Sequence, residues 1–420
     1  MSKYGVIEDL RQDFAERYAA EDWAASVDIC RRIDAEHRKS GAVETIAFAD
    51  DQYNYASALM ELKDYKKARA LLFESLRRVK RLGAPAAAVA MRCNNLGVCE
   101  ARLSRPGDAL KFFELAAETA ERLTDSAEYA DARYNAANAL YDMGEFDRAL
   151  AIHLELRAGA DGVRGIDVLN GAAYCHEKKG DAVSAARYLR LAMDAAKGLF
   201  GGASPEYLAN LYYLAVFSFR TGEYQAAADA FGETLQVLKR VSSGSGAFYA
   251  DTLNHLADAK AAAGDVRGAL RDRLESLRII RARIGENHVY YANCLKHIAL
   301  LYKQFDPDEC ERNFRRALAI KLSLIGAANA DYIRDALALS GIMVERFRYD
   351  AALELLSETL DGLQNSDSDE AFTELIPDVT KVMRAISGAR KVRDALPERL
   401  LARLIEAVEN PSCGEPSESA

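Results

Sequence analysis

The stretch Leu214-Ala215-Val216-Phe217-Ser218-Phe219-Arg220-Thr221-Gly222-Glu223-Tyr224-Gln225-Ala226-Ala227 decides how this chain folds. It places a small residue, a Gly-acidic-aromatic turn and a second small residue in fixed order, with strong helix formers on either side. Glycine ends a helix because it enters the left-handed region without steric cost, and an acidic residue directly after it can cap the next helix. The stretch therefore predicts two helices joined by a tight turn, with Ala215 facing Ala227.

Moving outward, the same pair of small residues twelve apart returns as Ala56 and Ala68, Gly97 and Ala109, Ala137 and Ala149, Ala173 and Ala185, and Ala257 and Ala269. Ala299 with Cys310 and Ser340 with Ala352 extend the series, and Ser26 begins it. Turns of the same kind stand between the pairs, at Gly144-Glu145-Phe146, Gly180-Asp181-Ala182 and Gly264-Asp265-Val266. Variants occur at Glu21-Asp22-Trp23, Lys63-Asp64-Tyr65 and Phe347-Arg348-Tyr349. Taking the second small residue as the mark, the steps run 42, 41, 40, 36, 42, 42, 41 and 42, so the chain is a repeat protein of about nine units. Small side chains have a physical reason there: where two helices cross closely, a larger one overpacks the contact at about 1–3 kcal/mol.

These residues resemble tetratricopeptide repeats, whose hairpins carry Leu-Gly or Leu-Ala in the first helix, Gly-x-Tyr/Phe at the turn and Ala in the second. Leu96-Gly97, Leu214-Ala215 and Leu256-Ala257 match the first element. The step exceeds the usual period of about 34 residues, which calls for longer helices. That longer form is similar to the repeats of kinesin light chains, in which a loop glycine precedes an aromatic-led first helix. Gly201, Gly246, Gly285 and Gly326 precede Tyr207, Tyr249, Tyr291 and Tyr332 in this way, although Val289 stands where that subtype tends to have proline. The resemblance implies an all-α fold, a right-handed α-solenoid of about nine hairpins with C-terminal capping helices.

The domain reading follows. Residues 1–45 form a divergent first hairpin, 46–362 the solenoid, 363–410 a linker with capping helices around 371–388 and 396–409, and 411–420 a disordered tail. No apolar run approaches the roughly 20 residues of a membrane helix, and Met1-Ser2-Lys3-Tyr4-Gly5 lacks a signal core. Seven cysteines with no Cys-x-x-Cys pair point to a reducing compartment, so a cytoplasmic location and no metal are expected. A formal charge of −9 opposes broad binding to a phosphate backbone, and nucleic acid is not expected as a partner.

In the family, the first helix of each hairpin lines the binding groove. Alignment on the small residues places there Tyr53, Asn54, Asn94, Asn95, Tyr134, Asn135, Asn138, Asn170, Tyr174, Tyr212, Tyr213 and Asn254. Asparagine costs up to about 0.7 kcal/mol against alanine inside a helix, so its return calls for a reason. An Asn amide donates to and accepts from a peptide backbone at once, and tyrosine adds contact area at low entropic cost. A bond to a neighbouring hairpin is the competing explanation for any single Asn. On the peptide reading, Asn54→Ala, Asn95→Ala and Asn135→Ala leave stability unchanged or slightly raised. Groove charge is weakly asymmetric, with Asp50, Glu61, Asp131 and Asp142 beside Arg102 early, and Arg220, Lys296, His297 and Lys303 beside Asp251 and Asp258 late.

No Gly-rich phosphate loop, nucleophile elbow or zinc-ligand helix occurs, so neither catalysis nor a cofactor is expected. The expected function is a scaffold or adaptor that holds an extended peptide segment of a protein partner; homo-oligomerisation stays open. The alternative is a regulator similar to bacterial peptide-pheromone receptors, which close on a short free peptide. That class usually carries an N-terminal output domain, and the residues before unit two already contain the hairpin around Trp23.

Overall fold

The computed structural model describes residues 3–121, 127–241, 246–327 and 329–364, and every regular element among them is an α-helix. The chain divides into two compact units, one through Leu214 and one from Ala215 onward. In the first, α1 (Lys3–Ala19) pairs with α2 (Trp23–Ser40), and α3 (Ile46–Glu61) with α4 (Tyr65–Arg81). Next come α5 (Ala86–Arg102) with α6 (Pro106–Ala120), α7 (Ala127–Asp142) with α8 (Phe146–Arg157), and α9 (Gly162–Lys178) with α10 (Ala182–Phe200). The division falls inside α11 (Pro205–Arg220), which α12 (Tyr224–Val241) follows. The second unit continues with α13 (Ala247–Ala262), α14 (Val266–Ile284), α15 (Val289–Tyr302), α16 (Pro307–Ile325), α17 (Ala330–Glu345) and α18 (Tyr349–Gln364).

Eighteen helices in nine consecutive hairpins are thus present among the described residues, as the repeat spacing predicts. The hairpin read over 1–45 is α1 with α2. Helix α18 runs on to Gln364, past the start of the expected linker, and the expected capping helices and tail lie outside the described residues. The short 36-residue step is taken up in the second helix of its hairpin: α8 has 12 residues where α2 has 18.

The turns are built as their residues require. Gly144, Gly180, Gly222 and Gly264 all take positive φ, between 79° and 96°. Glu21, Lys63, Ser104 and Phe347 occupy the same place without glycine and still adopt φ near 60°. Those four accept the αL conformation at a steric cost of roughly 1 kcal/mol each. After the turn, Asp22, Asp64, Asp181 and Asp265 each accept a hydrogen bond from the backbone N–H three residues on. Glu145, one methylene longer, makes no such cap.

The paired small residues are buried at the helix crossings: Ala56, Ala68, Ala109, Ala137, Ala149, Ala227, Ala269, Ala299 and Cys310 expose none of their surface. Gly97 shows why size is limited, since a Cβ added to it would lie 2.5 Å from Cε1 of Phe113. Gly171 is equally tight, with the ring of His153 2.3 Å from the same added atom.

Candidate functional site

All the Asn and Tyr residues singled out by alignment lie on first helices: Tyr53 and Asn54 on α3, Asn94 and Asn95 on α5, Tyr134, Asn135 and Asn138 on α7, Asn170 and Tyr174 on α9, Tyr212 and Tyr213 on α11, and Asn254 on α13. They are half-buried, apart from the buried Asn254. Polar groups on seven of them, Tyr53, Asn94, Asn95, Asn135, Asn170, Tyr213 and Asn254, join one hairpin to the next. Asn95 Nδ2 donates to Tyr53 Oη at 3.1 Å, and Asn135 Nδ2 to Asn94 Oδ1 at 2.9 Å. Asn170 Nδ2 donates to Asn210 Oδ1 at 3.0 Å, while Tyr213 Oη donates to Glu177 Oε2 at 2.8 Å. The rings of Tyr174 and Tyr213 meet edge to face with centroids 5.1 Å apart. Tyr134 meets the buried His153 ring in the same manner at 5.8 Å. In the second unit, Asn254 Nδ2 donates to Tyr290 Oη at 3.3 Å, and that hydroxyl donates to Asp251.

These contacts show what alignment could not. Each amide has two donors and two acceptor lone pairs, and the bond between hairpins takes one donor from one residue and one lone pair from another. Burial pushes the phenols of Tyr53, Tyr134 and Tyr174 upward, so they act as neutral hydroxyls at physiological pH. Asn54 stands apart from the ladder and lines a cavity of about 360 Å³ with Arg11, Phe14, Cys30, Asp50 and Asp51.

Ion pairs between hairpins escaped the sequence reading. Arg92 on α5 reaches back to α3, donating to Asp50 Oδ1 at 2.5 Å while its guanidinium lies over the Tyr53 ring at 5.1 Å. Arg164 does the same for Asp131 at 2.5 Å. Lys296 and the buried Lys321 both grip Asp335, at 2.9 and 2.6 Å, and Lys303 pairs with Glu345 at 2.6 Å. Asp50, Asp131, Lys296 and Lys303 are among the charges expected in an asymmetric groove, and each of these four is offset by a partner on the adjacent first helix. The signal that could have found these pairs is chemical complementarity at a separation of about one repeat, as in Asp50 with Arg92.

The six described cysteines are buried, and burial pushes Cys30 and Cys99 up to about 12 and Cys175 and Cys294 up to about 11. They are packing residues with little thiolate. Beside Cys175, the His176 ring turns away to stack on Tyr188 at 5.4 Å. Among the described residues, no three His, Cys, Asp or Glu side chains converge in a way that could hold a metal ion, and no helix is long and apolar enough to cross a membrane.

A tetratricopeptide repeat family model matches residues 86–161 and 248–323. Over those residues the chain carries tetratricopeptide repeats. Among solved structures, the apo form of RapI is similar over 93% of this chain and 100% of its own, at 12% identity and a TM-score of 0.54. The C-terminal part of a repeat protein from Cytophaga hutchinsonii is similar over 67% and 98%, at 16% identity and a TM-score of 0.50. A kinesin-light-chain repeat array from Podosopora anserina covers 46% of this chain and 95% of its own, at 15% identity and a TM-score of 0.40. A comparison with curated protein sequences gives no significant match. At such identities the first two likenesses speak for the fold alone.

Proposed function

We propose that this tetratricopeptide-repeat protein is a non-enzymatic scaffold or adaptor whose first-helix face holds an extended peptide segment of a partner protein. The observation that carries this reading is the recurrence of half-buried Asn amides on successive first helices, Asn94, Asn95, Asn135, Asn138 and Asn170. The ladder between hairpins sets the orientation of Asn94, Asn95, Asn135 and Asn170, and their remaining amide groups suit a peptide backbone, which offers a donor and an acceptor at every residue. Tyr53, Tyr134 and Tyr174 flank them with rings held by neighbouring contacts, so little rotamer freedom is lost on binding. Asn254 beside Tyr290 extends the same chemistry to the second unit. Backbone contacts of this kind give affinity, while side-chain pockets give identity.

The test is capture of partners from the native lysate by the full chain and by a variant combining Asn54→Ala, Asn95→Ala and Asn135→Ala. Loss of partner bands from a variant that keeps its helical content supports the reading; unchanged capture overturns it. Gel filtration with a free peptide of a few residues separates an adaptor from a receptor that closes on its ligand, since only closure reduces the hydrodynamic radius.

A further inference from the structure

The cavity of about 360 Å³ in the first layer of the fold is lined by Phe14 and Ala15 of α1, Ile33 of α2, and Asp50 and Asn54 of α3. Asp50 and Asn54 are one helical turn apart, so their side chains stand next to each other on a single stripe of α3. A cavity of this size holds a small organic group or an amino-acid side chain.

Most of the polar groups around it are already engaged. Asp51 Oδ1 accepts from Arg11 Nε at 2.9 Å and Asp51 Oδ2 from Arg11 Nη2 at 2.7 Å, with His37 Nε2 a further 2.7 Å from Oδ2. The remaining Arg11 nitrogen, Nη1, donates to Glu8 Oε2 at 3.1 Å. Asp50 gives only Oδ1 to Arg92; its side chain is 54% exposed, and no described residue donates to Oδ2. Asn54 is the exception on the first-helix face. Asn95, Asn135 and Asn170 each bond across to another hairpin, whereas the Asn54 amide has no hydrogen-bond partner among the described residues. It is half-buried, and neither amide atom is shut off from the surface, unlike Oδ1 of Asn254 and of Asn293, which are buried without a partner. Two acceptors, Asp50 Oδ2 and Asn54 Oδ1, and one donor group, Asn54 Nδ2, therefore remain available at the cavity. Its charge is balanced, since Arg92 offsets Asp50 and Arg11 offsets Asp51.

We propose that this cavity receives a neutral primary carboxamide, the side chain of a glutamine or asparagine in the bound segment. Its NH2 group donates to Asp50 Oδ2 and Asn54 Oδ1, its carbonyl accepts from Asn54 Nδ2, and its methylene stem lies on Phe14, Ala15 and Ile33. A primary carboxamide has two donors and an acceptor on one plane, which is the complement of what the wall leaves unspent. An ammonium group answers the two acceptors but leaves Asn54 Nδ2 unpaired and meets the Arg11 guanidinium; a carboxylate meets Asp50. Neither gains from a wall whose charge is already balanced. The proposal rests on the peptide reading of the first-helix face and names one side chain of that peptide.

The experiment titrates the full-length protein at neutral pH with N-acetyl-glutamine-N-methylamide and with its glutamate, lysine and methionine counterparts, following the Asn54 side-chain amide by NMR of isotope-labelled protein. Expected are a saturable shift of that amide and binding of the glutamine compound about tenfold tighter than each counterpart. Both are lost in Ala15→Trp, which fills the cavity from an exposed position on α1. In Asn54→Leu the preference for glutamine over methionine disappears. Absence of a saturable shift, equal affinity for glutamine and methionine or lysine, or glutamine binding that survives Ala15→Trp overturns the proposal; none of these results requires Asn54→Leu to fold. Such a failure leaves the peptide reading standing if the triple Asn variant still loses its partners. Glutamine binding at Asn54 together with unchanged partner capture by the triple variant supports the cavity and overturns the peptide reading.

Discussion

Single residues set the local energies of this protein, and two give measurable predictions. Lys63 holds φ 60° at a turn where sister repeats use glycine, and its side chain is exposed. Relief of the αL cost outweighs the extra unfolded-state entropy of glycine, so Lys63→Gly is expected to raise stability by about 0.5–1 kcal/mol in a urea melt. His153 is buried against Gly171, and burial pushes its imidazole down to about 4. The folded state therefore excludes a proton that the unfolded chain binds from its ordinary value of 6.5 downward. The stability contributed by the neutral ring is fully present above pH 6.5 and is lost as pH falls toward 4, by up to roughly 3 kcal/mol. Urea melts across this window should show that slope in the parent and a flatter one in His153→Leu; equal slopes would refute the assignment.

At the scale of helices, close approach and polar stapling are the two forces to separate. Gly97→Ala gains about 1 kcal/mol of helix propensity but drives a methyl into Phe113, so a net loss of about 1–2 kcal/mol is expected. Phe113→Leu in the same chain should recover most of it, and a stabilised Gly97→Ala would show that the α5–α6 crossing is looser than described. The Asn ladder changes one expectation drawn from the sequence. Asn95 and Asn135 each donate a bond to the preceding hairpin, so each alanine variant is expected to cost about 0.5–1.5 kcal/mol in thermal or urea melts. Asn54, which lines the cleft beside Asp50 and Asp51, should cost less. This ordering distinguishes a residue that joins hairpins from one placed mainly for a ligand.

Within each compact unit, helices pack on their neighbours in chain order, so damage should spread only a layer or two. Lys321 offers the test: it is 1% exposed and, with Lys296, neutralises the buried Asp335. Lys321→Met removes one of the two ammonium groups on that carboxylate and leaves Lys296 as its counter-ion, so the expected cost is that of one charged hydrogen bond, about 1.5–3 kcal/mol. Hydrogen exchange should accelerate through α15–α18 and stay unchanged in α3–α8. Faster exchange throughout would mean that the chain unfolds as one cooperative body.

The hairpins themselves were legible in the residues because everything that makes them is local. Gly222 with Glu223 ends one helix and opens the next within two positions, and Ala215 and Ala227 reveal a crossing only twelve residues apart. The candidate groove residues were legible as to which helices bear them, through their fixed offset from each small residue. What Asn95 does with its amide, why Asp50 carries no free charge, and the cavity beside Asn54 were decided only by the tertiary structure. The groups concerned are some 40 residues apart, as with Tyr53 and Asn95 or Arg11 and Asp51, and meet only when one hairpin is laid on the next. Periodicity along a chain specifies which face a side chain occupies; the register between stacked layers specifies its partner.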